Sequence, residues 1–193
     1  VRTPQAARAK SKASTVFLDV DGVLADWCHA ACKVLGIHRQ QAIDATGQQF
    51  VDRASELWSV LTEDAYSIYS NLPVLDNAHY LYDFCLANFN EVFFLTATPF
   101  TAAGEVMRGK MTWLERFTGD KRIALKTIIC PTEAKQYCAA PDRILVDDRE
   151  KALKGWRAQG GIEVKWPEAV ELGREVTEKD FSEAFRKLRR YAS

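Results

Sequence analysis

Two aspartates stand two residues apart in Val16-Phe17-Leu18-Asp19-Val20-Asp21-Gly22, at the end of a short apolar run. A carboxylate in that position can attack phosphorus once the charge between them is neutralised, giving an aspartyl phosphate. A second carboxylate nearby can protonate the leaving oxygen and later activate water. Gly22 frees the backbone to turn sharply. Alone, Asp-x-Asp reads as easily as a loop or a helix cap. But Asp147-Asp148 closes a second apolar run, and Thr96 closes a third. Clustered carboxylates repel and raise one another's pKa values unless a cation joins them. Mg²⁺ suits such a site, because it prefers oxygens from a few carboxylates, phosphate and water. Thr96 could hydrogen-bond a phosphate oxygen, and a lysine could offset the charge on the transferring group.

The elements that must position these groups are legible as apolar runs. Val16–Leu18, Glu91–Leu95, Thr127–Cys130, Arg143–Val146 and Ile162–Trp166 are short and rich in β-branched and aromatic residues, the pattern of strands buried on both faces. Helical periodicity fills residues 76–88, with Asp76 as expected N-cap, and also 101–117 and 150–158. Strands alternating with helices predict a Rossmann-like parallel sheet with right-handed crossovers, whose ligands bind at the carboxyl ends of the strands. Residues 27–72 are too long for a plain crossover and mostly helical in period. They predict a small helical cap inserted after the first strand. The expected organisation is a disordered basic arm over 1–14, a core over 15–26 and 73–193, and a cap over 27–72.

The chain has 193 residues, 47% hydrophobic and 27% charged, which suits one soluble globular domain with an insertion. Acids and bases balance at 26 each, so no whole-chain field favours nucleic acid or anionic lipid. Basic residues do cluster in the N-terminal arm and in Arg186, Lys187, Arg189 and Arg190, read as a solvated tail and a solvated helix end. The five cysteines read as reduced thiols of a cytoplasmic protein, with Cys28 and Cys32 on an apolar helix face rather than in a zinc site. No apolar run approaches the ~20 residues of a membrane span, and the N-terminus lacks the apolar segment of a secretory signal.

VFLDVDGVLAD (16–26), FFLTATP (93–99) and ILVDDR (144–149) resemble the first, second and fourth motifs of the haloacid dehalogenase superfamily of phosphatases. DVDGVLAD before an aromatic, GKMTWLERFTG (109–119) and LVDDR are most similar to the 5′(3′)-deoxyribonucleotidase family and its bacterial and phage relatives. The resemblance implies Asp19 as nucleophile and Asp21 as general acid/base. It implies Mg²⁺ held by Asp19, the backbone carbonyl of Asp21, Asp148 directly and Asp147 through water. It implies phosphate binding by Thr96, Ala97 and a lysine. Lys110, with Trp113 three residues on, matches the third motif; Lys135, after the third strand, is its rival. Between Thr96 and Pro99 this chain has Ala97-Thr98 where the mammalian-type enzymes have one residue. Trp27 falls where the family places an aromatic near substrate.

The cap matches less well. Trp27, Phe50, Trp58, Tyr66 and Tyr69 could stack on a nucleobase or form the cap's own core. Trp27, Trp58 and Tyr69 are taken as substrate-binding. The expected partner is a small phosphate ester, a (deoxy)nucleoside monophosphate. The basic segments motivate a nucleic-acid end-processing phosphatase as an alternative, and a non-catalytic phospholigand-binding module is a third reading.

Overall fold

A computed structural model describes residues 13–192. Five parallel strands form one sheet: β1 (Thr15–Leu18), β2 (Glu91–Thr96), β3 (Thr127–Ile129), β4 (Arg143–Asp147) and β5 (Ile162–Lys165), in the order β3-β2-β1-β4-β5. The predicted α/β class is therefore the observed one, and β1 is central. Side chains alternate across it. Val16 and Leu18 face the larger core, while Phe17 faces the smaller one with Leu95, Leu145 and Trp156. Both faces are covered, which is why these strands read as continuous apolar runs.

Between β1 and β2 the chain forms α1 (Trp27–Leu35), α2 (Arg39–Asp44), α3 (Gln48–Asp52), α4 (Ala54–Glu63), α5 (Ala65–Ser70) and α6 (Ala78–Asn88). Then follow α7 (Ala103–Thr118), α8 (Glu150–Ala158), α9 (Ala169–Leu172) and α10 (Glu178–Arg189). Leu81 of α6, Leu114 of α7 and Phe185 of α10 cover one face of the sheet. Leu153 and Trp156 of α8 cover the other. Trp156 is fully buried with its ring edge-on to Phe17 at 5.3 Å, and truncating such a residue costs about 3–5 kcal/mol.

Three local expectations need correction. The helix expected from residue 76 begins at Ala78, with Asn77 rather than Asp76 at its N-cap. Leu75 is held by Leu24 and accepts from the amide of Ala78, so residues 75–78 close a turn first. Ala13 is buried, and Ser14 bonds Asp142 through side chain and backbone, so the last two residues assigned to the basic arm join the fold. Residues 1–12 of that arm lie outside the described residues. At the other end, Lys187 pairs with Glu163, and Arg189 lies over Phe84 and Phe185.

The inserted helices enter and leave side by side. The amide of Asp26 donates to Pro73, that of Leu75 to Leu24, and Ala25 bridges antiparallel to Val74. Two small cores hold the insertion. Ala31, Leu35, Leu57 and Leu61 form one. Cys28, Cys32, Ala42 and Ile43 form the other, against Ala169 and Val170 of α9. The Cys28–Cys32 face is thus packed as expected.

Candidate active site

The carboxyl ends of β1, β2 and β4 converge. Asp19 extends β1 by one residue, its amide donating to Val146, and its side chain accepts from the Val20 amide at 2.8 Å. Carboxylate oxygens of Asp19, Asp147 and Asp148 lie within 4.8 Å of one another, and all three residues are buried. Burial pushes the Asp148 carboxyl well above the usual carboxylate range, and the charges of Asp147 and Asp19 push it further. Burial and Asp19 likewise raise Asp147 to about 6, against the pull of Lys135. The Asp148 Oδ1 atom is buried without a hydrogen-bond partner. An acid cluster of hard oxygens with an orphaned buried acceptor fits a small divalent cation.

Gly22 makes that proximity possible. Its φ is +76°, and a Cβ there would meet Asp148 Oδ2 at 2.4 Å. Only glycine satisfies both the left-handed backbone and the close approach.

Two buried lysines enter from different elements. Lys135 comes from a 3-10 helix, Thr132–Cys138, after β3. Its Nζ lies 2.9 Å from Asp19 Oδ2 and 2.8 Å from Asp147 Oδ2. Burial disfavours its charge, but the two carboxylates more than reverse this, so it is held protonated above the ordinary lysine range. Lys110 comes from α7. It donates to Asp21 Oδ2 at 2.6 Å, Thr96 Oγ1 at 2.8 Å and the Ala97 carbonyl at 2.6 Å. The structure thus brings both lysine candidates to the sheet edge with different partners. Lys135 meets Asp19, and Lys110 meets Asp21 and the Thr96 loop.

Asp21 stands apart from the three-carboxylate group, its carboxylate engaged by Lys110. Burial raises its pKa, Lys110 opposes that, and Asp19 adds to it. Its side chain keeps 29% exposure toward the cleft.

Above the strand ends lies a cleft of about 820 Å³, lined by Asp19, Asp21 and Asp148 below and by Trp27, Phe50 and Trp58 of the insertion. That volume suits a small-molecule ligand. Trp27 packs edge-on to Phe50 at 5.6 Å and lies 6.3 Å from Trp58. Trp58 is 37% exposed. Tyr69 also lines the cleft but is only 2% exposed; its hydroxyl accepts from Trp27 Nε1 at 3.3 Å, and its ring lies beneath Lys110 Nζ at 5.5 Å. Tyr66 is turned elsewhere, under Arg108. Helix α5 reaches this depth because it docks on α7 at Gly109, where a Cβ would lie 2.9 Å from the Tyr66 carbonyl.

Sequence reading passed over Phe100, Arg149 and Glu168, all on the cleft wall. Phe100 and Glu168 carry no motif, and Arg149 is only the last residue of ILVDDR. Phe100 follows the Thr96 loop and is 94% exposed.

Comparison with solved structures gives the class to which this architecture corresponds. It resembles a haloacid dehalogenase-like hydrolase, SP0104 from Streptococcus pneumoniae, with a TM-score of 0.51 at 15% identity over 83% of this chain and 90% of that one. A haloacid dehalogenase family hydrolase from Deinococcus radiodurans R1, solved with phosphate and sodium bound, matches at 0.50 and 13% identity, over 79% and 80%. A hydrolase from Streptococcus pneumoniae TIGR4 matches at 0.50 and 12% identity, over 83% and 96%. The chain therefore has the haloacid dehalogenase-like fold. No family model and no curated protein matches its sequence.

Proposed function

We propose that the protein is a phosphomonoesterase working through an aspartyl phosphate on Asp19, with nucleoside monophosphates as its substrates. The observation that carries this reading is the Asp19 carboxylate itself. It is buried, fixed by Lys135 and the Val20 amide, and set beside two more carboxylates whose repulsion a cation would relieve. Mg²⁺ would be held by Asp19, Asp148, Asp147 and the Asp21 carbonyl, and would supply charge neutralisation for attack by one anion on another.

The rest of the work falls to the chain's own groups. Thr96 and Lys110 bind the phosphoryl oxygens, with the Ala97 backbone shaping that loop. Lys135 holds the Asp19 carboxylate in place. Asp19 attacks phosphorus and the bond to the leaving oxygen breaks, while Asp21 gives that oxygen its proton. Asp21 then takes a proton from water, which attacks the aspartyl phosphate and regenerates Asp19. The raised pKa of Asp21 favours its acid role. Trp27 and Trp58 form the apolar wall against which a base would stack, and Tyr69 supports Trp27 and Lys110 from behind.

The test is a phosphate-release screen with and without Mg²⁺ over 5′- and 3′-ribo- and deoxynucleotides, sugar phosphates and phosphorylated oligonucleotides. Mg²⁺-dependent release, strongest from mononucleotides, is expected. Release unaffected by chelator, or none from any ester, overturns the reading.

A further inference from the structure

The cations around the cleft differ in whether they are free to take a ligand. Lys110, assigned above to the transferring phosphate, donates to Asp21, Thr96 and Ala97. Lys135 is shared between Asp19 and Asp147. Arg39, beside the catalytic turn, is taken by Asp26 at 2.6 Å. On α8, Lys151 pairs with Glu133, and Arg157 with Glu150 and Glu163. Arg149 is different. It is exposed and lines the cleft, and its guanidinium has no hydrogen-bond or ion-pair partner among the described residues. Glu133 lies close enough to feel its charge but is already paired. Also on the cleft lining, Glu168 accepts from the Glu171 amide, and Glu171 pairs with Lys165.

The backbone of Arg149 is nonetheless fixed. Its amide donates to Asp147 Oδ1 at 2.9 Å, and its carbonyl accepts from Ala152 and Leu153. Arg149 thus lines the cleft with an unpaired guanidinium on an anchored backbone, and the other cation on that lining, Lys135, is already shared between Asp19 and Asp147. Thr132 lines the cleft as well, and its hydroxyl too makes no hydrogen bond to another described side chain. A planar fork of N–H donors beside a free hydroxyl suits the oxygens of a phosphate, which arginine binds through two parallel bonds.

We propose that Arg149 is a specificity-determining residue that receives a second phosphate carried by the leaving group. The favoured substrates then have one phosphomonoester for Asp19 and a second phosphate group for Arg149. A nucleoside 3′,5′-bisphosphate and the phosphodiester of a 5′-phosphorylated dinucleotide share that chemistry. The inference rests on the phosphomonoesterase reading for what happens to the first phosphate, but not for binding of the second.

The experiment compares a nucleoside 5′-monophosphate, the matching 3′,5′-bisphosphate and a 5′-phosphorylated dinucleotide, in wild type, Arg149→Ala and Arg149→Lys. The backbone amide that bonds Asp147 survives both substitutions. Wild type is expected to favour a two-phosphate substrate, and Arg149→Ala to reduce that preference about tenfold, the factor for one charge-assisted contact. Arg149→Lys should retain part of it, and raised salt should weaken it in wild type. Whichever two-phosphate compound shows the larger Arg149-dependent preference identifies the source. Calorimetric binding of the same three compounds to Asp19→Asn and to the Asp19→Asn, Arg149→Ala double variant separates the two ideas. A preference that depends on Arg149 in binding, with no phosphate released by wild type, keeps this inference and removes the phosphatase reading. An equal loss for one- and two-phosphate ligands on removing Arg149, or no preference in wild type, overturns the inference while leaving the phosphatase reading intact.

Discussion

The edge of the sheet and the helical insertion above it are built by different physics. At the edge, the candidate carboxylates and Thr96 stand at the ends of strands whose backbone is paired on both sides. The amides of Asp19, Cys130 and Trp166 each bond to a neighbouring strand, and Asp19, Thr96, Asp147 and Asp148 are all buried. The insertion is a run of five helices, none longer than ten residues. Helices that short are not stable alone and depend on small shared cores. Their cleft-lining side chains are mixed, with Val51 at 69% exposure while Cys28 and Leu57 are buried. Helix α5 is wedged onto α7 at Gly109. In the proposed reading, the contrast puts phosphoryl transfer and the Arg149 contact on the strand ends and leaves the apolar wall for a base to the insertion.

Substitutions can break or sharpen that division. Asp19→Asn should remove about four orders of magnitude or more of Mg²⁺-dependent phosphate release while leaving thermal stability close to wild type. Substantial activity in that variant would move the nucleophile elsewhere. Lys135→Met strips the cation from Asp19 and Asp147 in a buried site, and should destabilise the protein by about 3 kcal/mol as well as abolish activity. Denaturant unfolding checks this; an unchanged midpoint would mean that the edge tolerates its own repulsion. Asp148→Asn removes one of three crowded acids. It should unfold at or above the wild-type temperature in chelator, yet lose the rise in melting temperature that added Mg²⁺ gives wild type. Trp58→Ala should have the smallest effect. Stability should change by less than about 1 kcal/mol, because the ring is already partly exposed, while KM for nucleotides rises about tenfold with kcat little altered. A large loss of kcat would place the insertion in the chemistry.

What the sequence determined by itself was the part written in contiguous residues. The five strands lie where five apolar runs lie, because a strand buried on both faces needs an uninterrupted run. Asp19, Thr96 and Asp147-Asp148 were identifiable because each closes such a run, and a parallel sheet brings the ends of its strands together. What the tertiary structure decided was pairing across distance. Both lysines were visible as candidates, but only the fold gives Lys135 to Asp19 and Lys110 to Asp21, since one arrives on a 3-10 helix and the other on α7. Tyr69 was legible as a cap aromatic, not as a buried support beneath Lys110. Arg149 was only the residue after an acid pair until the partners of every other cation near the cleft were known. Periodicity records which side of an element faces inward; which charge is left without a partner is a property of the whole assembled surface.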